Sequence, residues 1–240
     1  MKNAHKQYIA CISYGKDSIV LPELCVRHNL PLDRIVTVDV WATPDIPGDF
    51  PQMVEWKAFA DEEIFKKYGI KVEHIKASKS YAEYFYNTFA KGKREGNIYG
   101  FPYGMGAWCN SRLKLIPLKQ FDNNRYVQYL GICSDEPERI ERTVGTNRIA
   151  LPAQLGYSQD DTRNLAAELN LLSPTYENSQ RGGAGFATIR VLDSYGCCEK
   201  TTLNYGNCCS SGIATALHPL SVTGRLYAIL TGALNLKTVA

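Results

Sequence analysis

The sequence predicts an α/β fold in which helices cover both faces of a parallel, twisted sheet. Short apolar or β-branched runs at 8–13, 34–41 and 70–77 predict strands, and segments with helical spacing at 17–29 and 50–69 lie between them. A strand–helix–strand alternation of this kind favours parallel strands joined by helical crossovers. The 240 residues are 45% hydrophobic and 21% charged, which is close to the globular average, so the chain can bury a sizeable core.

Further along the chain, the pattern changes to a tyrosine-rich and glycine-spaced region at 80–114. We interpret it as a helix followed by a long loop, and loops of that length tend to carry function. A strand is predicted at 125–132, followed by a charged loop. The segment 158–170 predicts a helix, because it opens with Ser158 as a cap and has acids in its first turn.

Charge and hydropathy narrow the function classes. No apolar stretch reaches the roughly 18 residues that span a bilayer, and the N-terminal residues lack a secretory pattern. We therefore expect a cytoplasmic protein with no membrane partner. The net charge of +3 is too small to indicate nucleic acid directly. In a reducing interior, the eight cysteines favour free thiols, metal ligation or redox chemistry over disulfides.

The stretch SYGKDS directly follows the first predicted strand, where sheets of this kind bind ligands. Gly15 would let the backbone approach a phosphate, Lys16 would neutralise it, and the hydroxyls of Ser13 and Ser18 would donate to its oxygens. It is not a Walker motif, because Asp17 follows the lysine. The alternative is an ordinary turn at Gly15, with Asp17 and Ser18 capping the first helix.

This stretch resembles the pyrophosphate loop, S-x-G-K-D-S, of the ATP pyrophosphatase (PP-loop) superfamily, whose usual form has glycine where Tyr14 stands. Three further segments are similar to the phosphoadenosine phosphosulfate (PAPS) reductase family and its phage-like relatives. They are WCNSRLKLIPLKQF at 108–121, GICSDEPERIER at 131–142, and the stretch at 151–177 that contains LSPTYE. The four pieces follow the family's order from residue 8 to about 183.

The resemblance implies an adenine nucleotide, ATP or PAPS, over the sheet edge, with Mg²⁺ if ATP is used. The residues it implies for the nucleotide site are Ser13, Gly15, Lys16, Asp17, Ser18, Asp39, Arg112, Lys114, Gly131, Asp135, Glu136 and Arg139. Among them, Lys16 is the candidate catalytic residue.

Each role outside the loop has a plainer alternative. Asp39 would meet the ribose or base, or else form a strand-end turn. Arg112 and Lys114 would add positive charge opposite the loop, or else form a solvated basic face. The acids of the DEPER segment (135–139) would hold Mg²⁺ or a ribose and its arginine an anion, or else the segment is an exposed turn.

The cysteines bear on metal and redox chemistry. Sulfonucleotide reduction needs a nucleophilic thiol, which reductases of this family carry in a Glu-Cys-Gly-x-x-His segment, and no such segment occurs here. Cys109 and Cys133 are candidate ligands of an iron–sulfur cluster or zinc, which would need a further C-x-x-C pair. The pairs Cys197, Cys198 and Cys208, Cys209 are poor substitutes, because adjacent cysteines rarely direct both sulfurs at one ion.

A composition break after Gly183 predicts two parts, a PP-loop domain at 1–183 and an aberrant, irregular tail at 184–240. The tail holds six of the chain's 51 charged residues and four of its eight cysteines. If 183–187 are encoded GGT GCT GGT TTT GCC, the neighbouring frame reads Cys-Trp-Phe-Cys, the motif that relatives carry at this place. We therefore interpret the tail as the product of a one-base frameshift.

These observations lead to a functional hypothesis with open alternatives. The chain is expected to be an adenine-nucleotide-binding enzyme that acts in nucleotidyl activation or sulfonucleotide reduction, with a thiol reductant or a protein as possible partner. The alternative is a non-catalytic nucleotide-binding or partner-binding subunit of a phage or DNA-modification system, or a decayed product.

Overall fold

Five parallel strands form the central sheet of the computed structural model, which describes residues 6–102 and 108–176. Two short antiparallel strands form a separate hairpin. In chain order the strands are β1 (Gln7–Ile12), β2 (Arg34–Asp39), β3 (Trp41–Thr43), β4 (Ile46–Pro47), β5 (Val72–Lys76), β6 (Tyr126–Leu130) and β7 (Arg148–Ala150). The large sheet has the order β5-β2-β1-β6-β7, which confirms the predicted parallel α/β fold.

The central strand β1 explains why the first strand signal is a continuous apolar run. Ala10 and Ile12 lie in the larger core cluster, whereas Ile9 packs in a second cluster with Val36 and Phe121. Successive side chains of a strand point to opposite faces, so both faces of β1 are buried. The sheet is therefore covered on both sides, as predicted.

Helices and helical turns fill the connections. The α-helices are α1 (Lys16–Ile19), α2 (Leu21–Arg27), α3 (Pro51–Tyr68), α4 (Tyr81–Phe85), α5 (Trp108–Asn110), α6 (Ile116–Leu118), α7 (Pro137–Glu141), α8 (Leu151–Gln154) and α9 (Gln159–Glu168). A π-helical turn at Ser111–Leu115 and 3₁₀ turns at Lys119–Phe121 and Pro174–Tyr176 complete the described helical segments. None of the described helices is long and apolar enough to cross a membrane.

The elements depart from the sequence-based prediction in several places. The single helix expected at 17–29 is divided at Val20, and Pro22, which has no N–H to donate to the carbonyl four residues earlier, lies at the start of α2. The strand expected at 34–41 ends at Asp39. Strand β7 and helix α8 were not predicted, because the run Arg148–Ala150 is too short to show a period.

The described residues divide into two compact units. The first contains the parallel sheet and comprises residues 6–39, 51–78 and 110–176. The second comprises 40–50, 79–102 and 108–109 and contains the β3–β4 hairpin and α4. The predicted boundary at Gly183 and the tail at 184–240 lie outside the described residues.

Candidate nucleotide-binding site

The loop that follows β1 is closed by its own polar groups. The carbonyl of Gly15 accepts the N–H groups of Ser18 and Ile19, each at 3.0 Å, and so begins α1. The hydroxyl of Ser18 accepts the N–H of Ser13 at 2.9 Å and lies 3.0 Å from the Ser13 hydroxyl. Gly15 therefore turns the chain into α1 as its N-cap, but no side chain caps this helix, so the alternative with Asp17 and Ser18 as caps is wrong. The loop Ser13–Ser18 is called the phosphate loop below, after its expected ligand.

This loop lies at the point of the sheet where the chain changes direction. From β1 the chain proceeds to β2 on one side, and the strand on the other side is β6, which comes much later in the sequence. In open α/β sheets, ligands bind beyond the carboxyl ends of the strands at such a switch point. The phosphate loop follows β1 and the Gly131 turn follows β6, so the two meet at this position.

Gly131 is in close contact with the start of α1. A Cβ built at this glycine would lie 2.5 Å from the carbonyl oxygen of Asp17 and 2.7 Å from the Cα of Ser18. No side chain fits at that separation, and the neighbouring atoms belong to backbone that cannot swing aside. The role of Gly131 seen in the structure is thus close packing against the phosphate loop.

Lys16 and Asp17 form the polar centre of the loop. The Lys16 ammonium donates to Asp17 Oδ1 at 2.6 Å and to the side-chain and main-chain oxygens of Gln159 at 3.2 and 3.3 Å. Thr162 donates to the same Asp17 oxygen at 2.7 Å. The Lys16 N–H donates to the hydroxyl of Tyr176 at 3.1 Å, and the residue is only 9% exposed. The ammonium is therefore held at the site by one carboxylate and neutral oxygens.

A second series of hydrogen bonds begins at Tyr14 of the loop. The hydroxyl of Tyr14 donates to Asp61 Oδ1 at 2.5 Å. His74 lies between two carboxylates, with Nε2 3.0 Å from Asp61 Oδ2 and Nδ1 2.9 Å from Asp39 Oδ2. The hydrogen bonds to Asp39 and then to Asp61 raise the pKa of His74 to about 9. In the structure, Asp39 is thus the partner of His74 at the carboxyl end of β2.

The segment after β6 places the remaining predicted acids. The carboxylate of Asp135 accepts the N–H of Gln159, the first residue of α9, at 3.4 Å, and its side chain is exposed. Glu136 accepts the Cys133 N–H at 3.1 Å and forms an ion pair with Arg139. Asp135 is adjacent to the Lys16 partner Gln159, whereas the Glu136–Arg139 pair is satisfied within its own turn.

The two candidate metal ligands lie in different units. Cys133 is fully buried, with Sγ 3.5 Å from Asp17 Oδ1 and 3.6 Å from Thr162 Oγ1. Burial raises the pKa of the Cys133 thiol to about 12. Cys109 lies half-buried in α5 of the second unit. Within the ranges that the structure describes, no group of three or more His, Cys, Asp or Glu side chains is arranged to hold a metal ion.

The two predicted basic residues lie on the π-helical turn at Ser111–Leu115. Arg112 is exposed and Lys114 is half-buried, and Leu113 between them is buried. Both residues belong to the first unit, which contains the parallel sheet.

Several site residues were missed by sequence reasoning. These are Asp61, His74, Gln159, Thr162 and Tyr176. Two features of the sequence could have indicated three of them. Gln159 and Thr162 lie in the first turn of the helix that Ser158 caps, and Tyr176 belongs to the LSPTYE segment. No sequence signal marked Asp61 or His74, since a polar or charged residue on an amphipathic helix or on a strand is usually just solvated.

No family model matches the chain. A protein of Escherichia phage lambda, described as "Uncharacterized nin region protein ORF290", is 39% identical over 57 residues, which is 22% of this chain and 20% of that protein. The match thus spans about a fifth of the length of this relative.

Among solved structures, the chain is similar to the U34-tRNA thiolase NcsA from Methanococcus maripaludis with its [4Fe-4S] cluster. The identity is 15% and the TM-score is 0.42, over 97% of this chain and 72% of that one. A likeness of this size carries no argument about function.

Proposed function

We propose that this chain is an adenine-nucleotide-binding protein of the PP-loop superfamily, of the PAPS reductase-like type. The observation that carries the proposal is the position of the phosphate loop. It follows the central strand at the switch point of a parallel sheet, and Gly131 packs against it without room for a side chain. A loop that only reversed the chain would not need a lysine that is 9% exposed at its centre.

The residues of the loop suit a phosphate or sulfate group. Gly15 has extended backbone angles and is half-buried, and the exposed residue Ser13 precedes it by two positions. Lys16 would exchange part of its contact with Gln159 for the anion, because a charged partner is stronger than a neutral one. Asp17 would keep the ammonium aimed at the site.

The remaining predicted residues would complete the site. Asp135 and Glu136 would hold Mg²⁺ when ATP is the nucleotide, and Arg139 would pair with an anion. Arg112 and Lys114 would add positive charge, and Asp39 would contact the ribose or base.

Two reactions fit such a site. With ATP, a nucleophile would bond to the α-phosphorus while the bond to the bridging oxygen breaks, and pyrophosphate would leave with its charge neutralised by Lys16. With PAPS, the same loop would bind the phosphosulfate, and a thiol reductant would supply the two electrons that release sulfite. Mg²⁺ would supply charge stabilisation in the ATP reaction.

Substrate assays distinguish the two reactions. Pyrophosphate release from ATP would support nucleotidyl activation, whereas thiol-dependent sulfite formation from PAPS would support reduction. Lys16→Ala should weaken nucleotide binding by about tenfold to a hundredfold, the usual cost of a lost charged hydrogen bond, in calorimetry.

The matched control is Lys66→Ala, which removes an exposed lysine paired with Glu63 on α3. It should leave the nucleotide affinity unchanged. Equal affinities of wild type and Lys16→Ala for both nucleotides would contradict the proposal.

A second candidate is a non-catalytic subunit that binds a nucleotide or a protein partner. It is favoured by the missing Glu-Cys-Gly-x-x-His segment, since without that thiol the chain lacks the nucleophile of a reductase. Binding of ATP or PAPS without turnover of either would support this candidate. A decayed gene product would bind neither nucleotide.

The frameshift proposal is separable from the nucleotide site. It places a domain boundary at Gly183 and treats 184–240 as a non-native tail, so that an intact relative would hold an iron–sulfur cluster or zinc with Cys109, Cys133 and a restored C-x-x-C pair. Sequencing of the gene around codon 183 decides it. A neighbouring frame interrupted by stop codons directly after that codon would contradict the frameshift proposal.

A further inference from the structure

Tyr14 has the least expected backbone conformation in the phosphate loop. Its φ is 55°, in the left-handed region, although its side chain is only 3% exposed. This conformation costs an L-residue free energy, whereas glycine adopts it almost freely. Tyr14 directly precedes Gly15, the N-cap of α1, and Lys16, the first residue of that helix. Its backbone angles therefore determine the direction in which α1 begins.

The Tyr14 side chain is held on several sides. Its hydroxyl donates to Asp61 at 2.5 Å, and its ring meets Trp56 edge to face with the centroids 6.0 Å apart. The Lys57 ammonium lies 5.0 Å from the ring centroid. All three partners come from α3, so the loop is tied to a helix that the sequence places about 45 residues further on. These contacts offset the cost of the left-handed backbone.

Asp61 is itself held by His74. The two ring nitrogens of His74 face Asp61 from α3 and Asp39 from β2, at 3.0 and 2.9 Å. Only the doubly protonated imidazolium donates to both carboxylates. The described groups at His74 include these two carboxylates and, at 3.5 Å, the Tyr14 hydroxyl, and the Lys57 ammonium lies 5.0 Å from the centroid of the Tyr14 ring. The imidazolium of His74 therefore joins Asp61 on α3 to Asp39 on β2.

We propose that Tyr14 is the positioning residue of the phosphate loop, and that Asp61 and protonated His74 hold its side chain so that the left-handed backbone persists. The effect on nucleotide affinity rests on the proposed function. The effect on the loop itself does not, and amide hydrogen exchange measures it without any nucleotide.

The decisive comparison is Tyr14→Gly against Tyr14→Ala. Both variants remove the anchored side chain, but only glycine tolerates the left-handed backbone. The readout is the exchange rate of the Lys16 amide, which donates to Tyr176, divided by that of the Val36 amide in the sheet core. In Tyr14→Ala this ratio should be about fivefold to thirtyfold higher than in Tyr14→Gly. The factor is the free-energy cost of a left-handed backbone in an L-residue, converted into a ratio of exchange rates.

Tyr14→Phe tests the hydroxyl and has a matched control. Tyr68→Phe removes a hydroxyl that donates to Glu23 at 2.8 Å near the far end of α3. Tyr14→Phe should raise the Lys16 exchange ratio several-fold, whereas Tyr68→Phe should leave it unchanged. Asp61→Asn should behave like Tyr14→Phe and should also lower the pKa of His74 in a nuclear magnetic resonance titration.

The outcomes separate this inference from the proposed function. Equal exchange ratios in Tyr14→Gly and Tyr14→Ala would overturn the positioning role, even if the wild type binds ATP or PAPS. Failure of the wild type to bind either nucleotide would overturn the proposed function, and the exchange ratios would still decide the role of Tyr14. If both ideas hold, Tyr14→Ala should bind the nucleotide more weakly than Tyr14→Gly by about the same factor.

Discussion

The two sides of the phosphate loop are held in different ways. On the β6 side, the Lys16 ammonium contacts its sequence neighbour Asp17 and the neutral oxygens of Gln159. On the β2 side, Tyr14 is tied through Asp61 to His74, which also bonds Asp39. Under the proposed function, the first set of contacts would be exchanged for an anion, whereas the second joins the loop to α3, to β5 and to the end of β2. The groups that would bind the anion and the groups that hold the loop therefore lie on opposite sides of one six-residue loop.

This arrangement has a physical reason. Oxyanion recognition needs donors that are already in place, because the free energy of ordering them would otherwise be subtracted from the affinity. Charged groups supplied by three separate elements resist displacement together. Under the proposed function, the contacts of Lys16 with the neutral oxygens of Gln159 would then cost little when an anion replaces them. Two substitutions and a change of pH test the difference between the two sides.

Gly131→Ala should have the largest effect, and it acts on the β6 side. The added Cβ would lie 2.5 Å from the Asp17 carbonyl, so the start of α1 or the Gly131 turn must move. We expect a loss of about 1–3 kcal/mol in the free energy of unfolding, measured by urea titration, and a marked loss of nucleotide affinity.

The control is Gly15→Ala, whose Cβ would meet only the Tyr176 hydroxyl at 3.2 Å and the Ser13 hydroxyl at 3.6 Å. Because those atoms are the ends of side chains, this variant should lose less stability than Gly131→Ala. Equal losses in the two variants would show that close packing at Gly131 is not what shapes the loop.

Ser158→Ala should have an intermediate effect. Ser158 caps α9 by accepting the Asp161 N–H at 3.2 Å, and Asp161 accepts the Ser158 N–H in return at 2.8 Å. Loss of this capping box should cost about 1 kcal/mol of the free energy of unfolding. It should also weaken nucleotide binding modestly, since α9 begins with Gln159, the Lys16 partner.

Ser80→Ala is the matched control, because Ser80 forms the same capping box with Glu83 at the start of α4. It should cost similar stability in the second unit without changing the nucleotide affinity. A similar change of affinity in both variants would mean that the β6 side does not depend on α9.

The smallest effect is the pH dependence of the β2 side. The pKa of His74 rises from 6.5 to about 9 on folding, so the protonated form stabilises the folded state. This contribution is fully present below about pH 6.5 and is lost as the pH rises through about 9. It should be modest, because the His74 side chain is 37% exposed and solvent screens the charges.

The measurement is urea unfolding of wild type and His74→Gln between pH 6 and pH 10. The difference between the two proteins removes the titration of other groups and should shrink as the pH rises. A difference that is constant over this range would mean that His74 does not hold its two carboxylates through charge.

Particular elements show how much was predictable. The strands at 8–13 and 70–77 and the capped helix at 158–170 were expected within a few residues, because their apolar periods and capping residues are local signals. Strand β7 was missed, since three residues carry no readable period. The break at Val20 was missed because helical spacing continued across it.

Local patterns along the chain were enough to predict the alternation of strands and helices and the loop with Lys16 after the first strand. The groups that hold that loop became visible only in the folded structure. The partners of Tyr14 and His74 lie 47 and 35 residues away along the chain, and no local pattern links positions so far apart. The pairing of β2 with β5 brings Asp39 close to His74, and the packing of helix α3 adds Asp61, so all three become neighbours of the loop only in the folded chain.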